Sequence, residues 1–235
     1  MNHPGALFPQ LALDFRPDPT VDLAAFVPDG NEEAVALVRA LATPAAQWLY
    51  VWGSSGSGRS HLLQAACGCI GDAGGTAVYI PLAECRHRSP DLLAGLERVA
   101  LVAIDDLQLI AGQPAWEEAV FHCYNRVRDA GGQLVVAADQ APDGLGLGLA
   151  DLVSRLQALL RLRLSPPDDA RRRRVLAAAV ARRGLDLPAA SADYLLTREA
   201  RDLRHLMAVV ARLDEASLRS GRRLTVPFIR TVLGY

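Results

Sequence analysis

The sequence predicts an α/β core, with a parallel sheet flanked by helices, followed by a small all-α domain. Three observations carry that prediction. An apolar, aromatic run from Trp48 to Trp52 leads through Gly53-Ser54-Ser55-Gly56-Ser57-Gly58-Arg59-Ser60 into a helical pattern at His61, Leu62, Leu63, Ala65 and Ala66. Four apolar residues, Leu101 to Ile104, run into the paired carboxylates Asp105-Asp106. Pro166-Pro167 then ends the alternation of strands and helices, and four helical patterns follow in succession.

The glycine-rich stretch has the order strand, turn, helix, which is the context in which G-x-x-x-x-G-K-[ST] becomes a phosphate loop. Glycines let backbone N–H groups converge on an anion with no Cβ in the way, and the helix N-terminus beneath adds partial positive charge. Ser60 stands where the motif's hydroxyl meets Mg²⁺, and Arg59 stands where the motif has lysine. The chain contains no lysine, so a general drift toward arginine is one account of Arg59. The other is chemical. A planar guanidinium does not replace a compact ammonium at the β- and γ-phosphates, so the loop is expected to hold nucleotide and hydrolyse it poorly. A plain glycine turn is the bland alternative, and the second motif downstream argues against it.

Composition bounds the rest. The 235 residues are 51% hydrophobic, enough for one large domain or a medium one with a small companion. No apolar run approaches twenty residues and no charged-then-apolar leader precedes the chain, so a soluble, unprocessed, cytoplasmic protein is expected. Cys67, Cys69, Cys85 and Cys123 lie inside apolar patterns without metal spacing, which suits reduced, buried thiols. Charge is uneven: residues 1–165 carry 11 arginines against 18 carboxylates, and residues 166–235 carry 14 against 8. A basic C-terminal part can face nucleic acid, phosphates or an acidic neighbour. The run Arg171 to Arg174 reads by default as a solvated helix start.

Taken in order, residues 1–25 read as an extended arm rich in proline and aspartate. It contains Gln10-Leu11-Ala12-Leu13-Asp14-Phe15, whose glutamine and apolar pair have the spacing of peptides that fill a polar and a hydrophobic pocket; an edge strand or hydrophobic tether is the alternative. Asn31 is placed to cap a helix whose first turn holds Glu32 and Glu33. After the phosphate loop and its helix, Ala77 to Ile80 reads as a strand closed by Pro81, and Pro90 to Glu97 as a short helix. Leu101 to Ile104 reads as a buried parallel strand with its acids at the C-terminal end, where α/β folds put ligands. Asp105 would hold Mg²⁺ through water and Asp106 would orient an attacking water; two acids capping a turn is the bland reading. Pro114 to Ala130 reads as a helix ended by Gly131-Gly132. Leu134 to Ala138 is a further buried strand, and Asp139 after it is placed to sense a γ-phosphate. Leu149 to Leu159 reads as a helix containing Ser154-Arg155, and Arg161 to Leu164 as a short edge strand. The last four helices are expected at 168–183, 188–198, 202–219 and 226–233.

With these pieces placed, the chain resembles the AAA+ family and, within it, the branch of the replication initiator DnaA and its relative Hda. The resemblance covers the chain from about Phe26 onward, and the Gln10–Phe15 peptide extends it into the arm. Gly58-Arg59-Ser60-His61 follows Hda-type loops, where DnaA has lysine. The clamp-type peptide at the N-terminus and the absence of a C-terminal duplex-binding domain point the same way. The resemblance implies a core over residues 26–165 and a helical lid over 166–235. Nucleotide, ADP or ATP, is then held by Phe26, Val27, Gly53, Ser55, Gly56, Ser57, Gly58, Arg59, Ser60, His61 and the lid residue Arg204. Ser60 and Asp105 would take Mg²⁺ if it is present. Asp139 becomes the first sensor, with Asp106 beside it, and Arg155 an arginine finger acting in trans; ordinary surface arginines remain the alternative for Arg155 and Arg204. Gln10, Leu11, Leu13 and Phe15 would bind the sliding clamp, the beta subunit of DNA polymerase III.

The implied activity is regulatory. On the DNA-loaded clamp, such a protein makes DnaA hydrolyse its ATP while itself holding ADP, with weak ATPase activity of its own or none. It touches DNA through the clamp and has no membrane partner; monomer and homodimer both stay open. The alternative is a self-sufficient DnaA-like or helicase-loader ATPase, since both acids after the strand are retained. Direct duplex binding through the arginine-rich lid is a third reading, and the lack of an added reading domain weighs against it.

Overall fold

The computed structural model describes residues 21–43, 46–199 and 203–235, and the chain divides into two compact units. The first unit holds the described residues up to Leu23 together with Asn31–Ser54 and Gly58–Leu164. Its centre is a five-stranded parallel sheet. The strands are β1 (Leu49–Trp52), β2 (Ala77–Pro81), β3 (Leu101–Asp105), β4 (Gln133–Ala138) and β5 (Leu160–Arg163), in the order β2-β3-β4-β1-β5. Parallel strands joined by helices bury both faces of a sheet, which explains why β3 is buried at every position and β4 at all but the first. The edge strand β5 instead alternates, with Leu162 buried and Arg161 and Arg163 exposed. It lies one residue earlier than the pattern predicts and pairs parallel to β1, with Leu49 opposite Leu160.

The helices of this unit are α1 (Glu32–Ala40), α2 (Arg59–Asp72), α3 (Leu82–Cys85), α4 (Pro114–Asp129) and α5 (Ala150–Gln157). Asn31 does precede α1, but its side chain makes no capping hydrogen bond. The helix expected over 90–97 is two short 3₁₀ segments, Pro90–Leu93 and Leu96–Arg98. Between them Ala94 is extended and Gly95 takes φ 80°, a left-handed conformation that stops an α-helix from continuing. The four-residue α3 was absent from the sequence pattern, which shows only Pro81 closing a strand. Trp116, Val120, Cys123, Tyr124 and Val127 of α4 face a core that includes Tyr50, Ile104, Leu134 and Leu156.

The second unit holds Ala24–Gly30, Ser55–Ser57 and Ser165–Tyr235. Its helices are α6 (Asp169–Arg182), α7 (Ala189–Glu199), α8 (Leu203–Ser220) and α9 (Val226–Leu233), packed around Leu176, Leu195, Leu206, Val210 and Ile229. Asp168 caps α6 by accepting a hydrogen bond from the Arg171 backbone N–H at 2.6 Å. Arg171 is not the solvated arginine its run suggests. It is 4% exposed; its guanidinium donates to the carbonyls of Ser165 (3.1 Å) and Ser57 (3.4 Å) and lies 5.5 Å from the Phe26 ring centre. Arg174 does reach solvent and pairs with Asp29 at 2.7 Å. The hydroxyl of Ser57 is buried without a hydrogen-bond partner.

Candidate functional site

Parallel register brings the C-terminal ends of β1, β3 and β4 together, so Gly53, Asp106 and Asp139 follow neighbouring strands at one end of the sheet. From β1 the chain enters the glycine-rich turn, where Gly56 has φ 75° and Gly58 φ 103°. Both values lie where a side chain strains the backbone, which is why those positions require glycine. Gly58 is the N-cap of α2, and the first turn of that helix has backbone N–H groups without intrahelical partners, the kind of group that takes an anion.

Asp105 is fully buried. Its Oδ2 accepts from the Tyr79 hydroxyl at 2.7 Å, its Oδ1 from the Asp106 N–H at 2.9 Å, and the Ser60 hydroxyl also bonds to it. Burial pushes the Asp105 carboxyl above its ordinary range, the Asp106 charge adds to this, and the Ser60 and Tyr79 hydroxyls and Arg59 oppose it. A hydroxyl and a carboxylate held this close supply two oxygens of the kind Mg²⁺ takes while keeping water on its other faces. Among the described residues there is no cluster of three or more His, Cys, Asp or Glu fit to enclose a metal.

Asp106 takes a left-handed backbone conformation, φ 58°, uncommon for a residue with a side chain and often met where function constrains the chain. Its Oδ1 lies 3.6 Å from Arg59 Nη2, and both side chains are only 10% exposed. The same oxygen accepts from Gln108 Nε2 at 3.1 Å, while Gln108 Oε1 accepts from the Asp139 N–H at 3.2 Å. Arg59, Asp106, Gln108 and Asp139 therefore form one continuous polar line across the ends of β3 and β4. At its two ends, Arg59 Nη1 and Asp139 Oδ1 are buried without hydrogen-bond partners. Such orphans are costly. A phosphate beside Arg59, with water at Asp139, would satisfy both, so these residues fit a nucleotide.

Of the other residues expected here, His61 Nε2 donates to the Asp22 carbonyl at 2.8 Å, so its ring holds the preceding chain. Phe26 is buried and Val27 half-buried in the second unit. Gln10, Leu11, Leu13 and Phe15 lie outside the described residues, as does the side chain of Arg204, whose backbone belongs to α8.

Arg155 is half-buried on α5, and its guanidinium carbon lies 5.8 Å from the centre of the Tyr124 ring. Tyr124 meets Trp48 edge-to-face at 4.8 Å, and Trp48 directly precedes β1. The Arg155 cluster is therefore at the N-terminal end of the strand whose C-terminal end opens into the glycine-rich turn. Four strand residues at about 3.3 Å each put at least 13 Å of sheet between the two.

Residues of this unit that the sequence did not announce include Gln108, Tyr79 and Glu117. Gln108 interrupts an apolar turn, a faint signal of a polar task. Glu117 gave none, reading as an ordinary acid in a first helical turn. It is 2% exposed, and its two oxygens accept from the backbone N–H groups of Gly112 and Leu149, each at 2.8 Å. Leu149 is the N-cap of α5, so Glu117 fixes where the Arg155 helix begins.

The chain is similar to several solved structures. Domain III of the Thermotoga maritima replication initiation protein DnaA superposes with a TM-score of 0.74 at 22% identity, covering 92% of this chain and 97% of that one. AMPPCP-bound DnaA from Aquifex aeolicus gives 0.67 at 25%, covering 83% and 65%. A variant of Thermotoga maritima RuvB gives 0.62 at 16%, covering 94% and 72%. Residues 86–163 match the family model of the bacterial DnaA ATPase domain, and residues 169–233 that of the Hda lid domain.

The glycine-rich turn, the paired acids after β3 and a separate helical unit define an AAA+ protein, an α/β P-loop core with a small all-α lid. Within that class, the two adjoining family matches place the chain among the DnaA-related AAA+ proteins, close to Hda. No described helix is long and apolar enough to cross a membrane.

Proposed function

We propose that this chain regulates the start of chromosome replication by making DnaA hydrolyse its bound ATP, while holding ADP in its own phosphate loop. Similar DnaA structures carry AMPPCP, and in this chain a glycine-rich turn leads into α2. Gly53, Ser55, Gly56, Ser57, Gly58, Arg59, Ser60 and His61 are the loop residues assigned to the nucleotide in this proposal, and Phe26, Val27 and Arg204 are the further residues assigned to it. ADP supplies two phosphates for the loop and leaves no γ-phosphate for chemistry; Mg²⁺, where present, would sit with Ser60 and Asp105. Arg59 ties up the carboxylate of Asp106, which accounts for weak turnover or none by the chain alone. Gln10, Leu11, Leu13 and Phe15 bind the DNA-loaded sliding clamp, which brings the chain to its partner. Arg155 then reaches the γ-phosphate held by DnaA and stabilises the charge that develops there, a contribution of roughly 10³ to 10⁵ in rate for such fingers.

The observation that carries this reading is the placement of Arg155 at the end of the sheet opposite its own glycine-rich turn. An arginine there cannot serve the chain's own nucleotide and is available to a neighbour's. The test is hydrolysis of DnaA-bound ATP with clamp loaded on DNA. The chain should accelerate it, Arg155→Ala should remove the acceleration, and Gln10→Ala should remove retention on the clamp. No acceleration by the intact chain ends the proposal.

A second reading, a self-sufficient DnaA-like or helicase-loader ATPase, draws on the retention of Asp105 and Asp106 and on Gln108 joining Asp106 to Asp139. Multiple turnovers of ATP by the chain alone, lost in Asp106→Asn, would establish it instead.

A further inference from the structure

We infer that Tyr124 is a positioning residue for Arg155, and that Trp48 fixes the ring on which Arg155 is presented. The inference rests on the trans-acting role of Arg155 proposed above. Three contacts in series make the case, all within the first unit. The Trp48 Nε1–H donates to the Gly132 carbonyl at 3.1 Å, which ties the indole to the turn before β4. The indole meets Tyr124 at 4.8 Å with an interplanar angle of 74°, the edge-to-face arrangement aromatic pairs favour. The ring of Tyr124, 7% exposed, then carries the guanidinium of Arg155 at 5.8 Å and that of Arg128 at 5.9 Å.

A guanidinium within about 6 Å of a ring centre is held by the ring's quadrupole without spending its N–H donors. This matters for an arginine that must act on another molecule. A carboxylate partner would occupy the fork and cancel the charge, and among the described residues no carboxylate pairs with Arg155. Arg128 has one, Asp129 at 3.5 Å, so the two cations on the ring are not equivalent. The ring also keeps a long, flexible side chain near one orientation before a partner arrives, which lowers the ordering cost of reaching a phosphate. Tyr124 and Arg128 line a cleft together with Trp48 and Leu160.

Tyr124→Phe, Tyr124→Leu and Arg155→Ala test the inference in the full chain, with DnaA-bound ATP hydrolysis on clamp-loaded DNA as the readout and melting temperature as the check on folding. Tyr124→Phe keeps the ring and should retain the intact chain's maximal rate. Tyr124→Leu keeps apolar bulk but removes the ring face, and should lower the maximal rate roughly ten- to a hundredfold, as loss of orientation does. The concentration for half-maximal stimulation should stay nearly unchanged. In the double variant Tyr124→Leu/Arg155→Ala the rate should equal that of Arg155→Ala alone. If Arg155→Ala abolishes stimulation while folded Tyr124→Leu stimulates at the intact rate, the platform is refuted and the trans role stands. A Tyr124→Leu loss that adds in full to that of Arg155→Ala also overturns it. If Arg155→Ala itself changes nothing, both the platform and the finger are wrong.

Discussion

Arg59→Lys separates two roles of the residue, charge near the phosphates and restraint of Asp106. The guanidinium lies 3.6 Å from Asp106 Oδ1, and both groups are nine-tenths buried. With an effective dielectric of about 20, unit charges at that distance attract by about 5 kcal/mol. An ammonium on the shorter lysine stem keeps the charge but gives up the contact; at about twice the distance the attraction falls by about 2 kcal/mol. Removing that much restraint from Asp106 corresponds to about thirtyfold, at 1.4 kcal/mol per decade. Single-turnover ATP hydrolysis by the chain alone, with protein in excess, should therefore rise roughly ten- to thirtyfold in Arg59→Lys, and adding Asp106→Asn should abolish the gain. Should Arg59→Lys bind ATP as tightly as the intact chain and hydrolyse it no faster, Arg59 does not restrain Asp106, and the account of weak turnover fails.

Glu117→Ala orphans the buried N–H groups of Gly112 and Leu149, and should lower stability by about 3 kcal/mol, seen as a melting temperature roughly 6–12 °C lower. ADP should raise the melting temperature more than ATP does at equal concentration, as a ligand does that binds the native state more tightly. Burial pushes the Cys67 thiol up to about 12 and those of Cys85 and Cys123 to about 11, so almost no thiolate exists at pH 8. A disulfide-exchange reagent at pH 8 should find at most the half-buried Cys69 in the native protein, and the other three thiols only after denaturation.

The sheet was legible because its signals are local. Leu101 to Ile104 ending in two acids, and Leu134 to Ala138 ending in Asp139, are apolar runs too short for helices, each closed by a polar residue where a ligand would lie. The helix at 90–97 misled because apolar spacing does not register the left-handed bend at Gly95. Arg171 misled for a different reason. A run of four arginines says nothing about which one turns inward, and only assembly places Phe26, Ser57 and Ser165 around it. Glu117 was invisible and Gln108 only faintly marked for the same cause, since the backbone N–H groups they accept from at Leu149 and Asp139 are brought near by folding. Motifs found the acids and the loop; they did not find the residues that hold them in line.

On the proposed reading, that line is how a phosphate loop would keep its acids and still be slow. Asp106 is present, but its carboxylate already serves Arg59 on one side and Gln108 on the other. A water-orienting acid has to offer a lone pair to water, and here Oδ1 already accepts from Gln108 and has the Arg59 charge 3.6 Å away. Deleting Asp106 would leave Arg59 charged and uncompensated inside the protein, a loss of about 3–5 kcal/mol for a broken buried pair. The acid can therefore be retained for the fold after its catalytic duty has lapsed. Retention of Asp105-Asp106 is then compatible with the proposal that the working arginine is Arg155, held on the Tyr124 ring, and that it acts on another molecule's nucleotide.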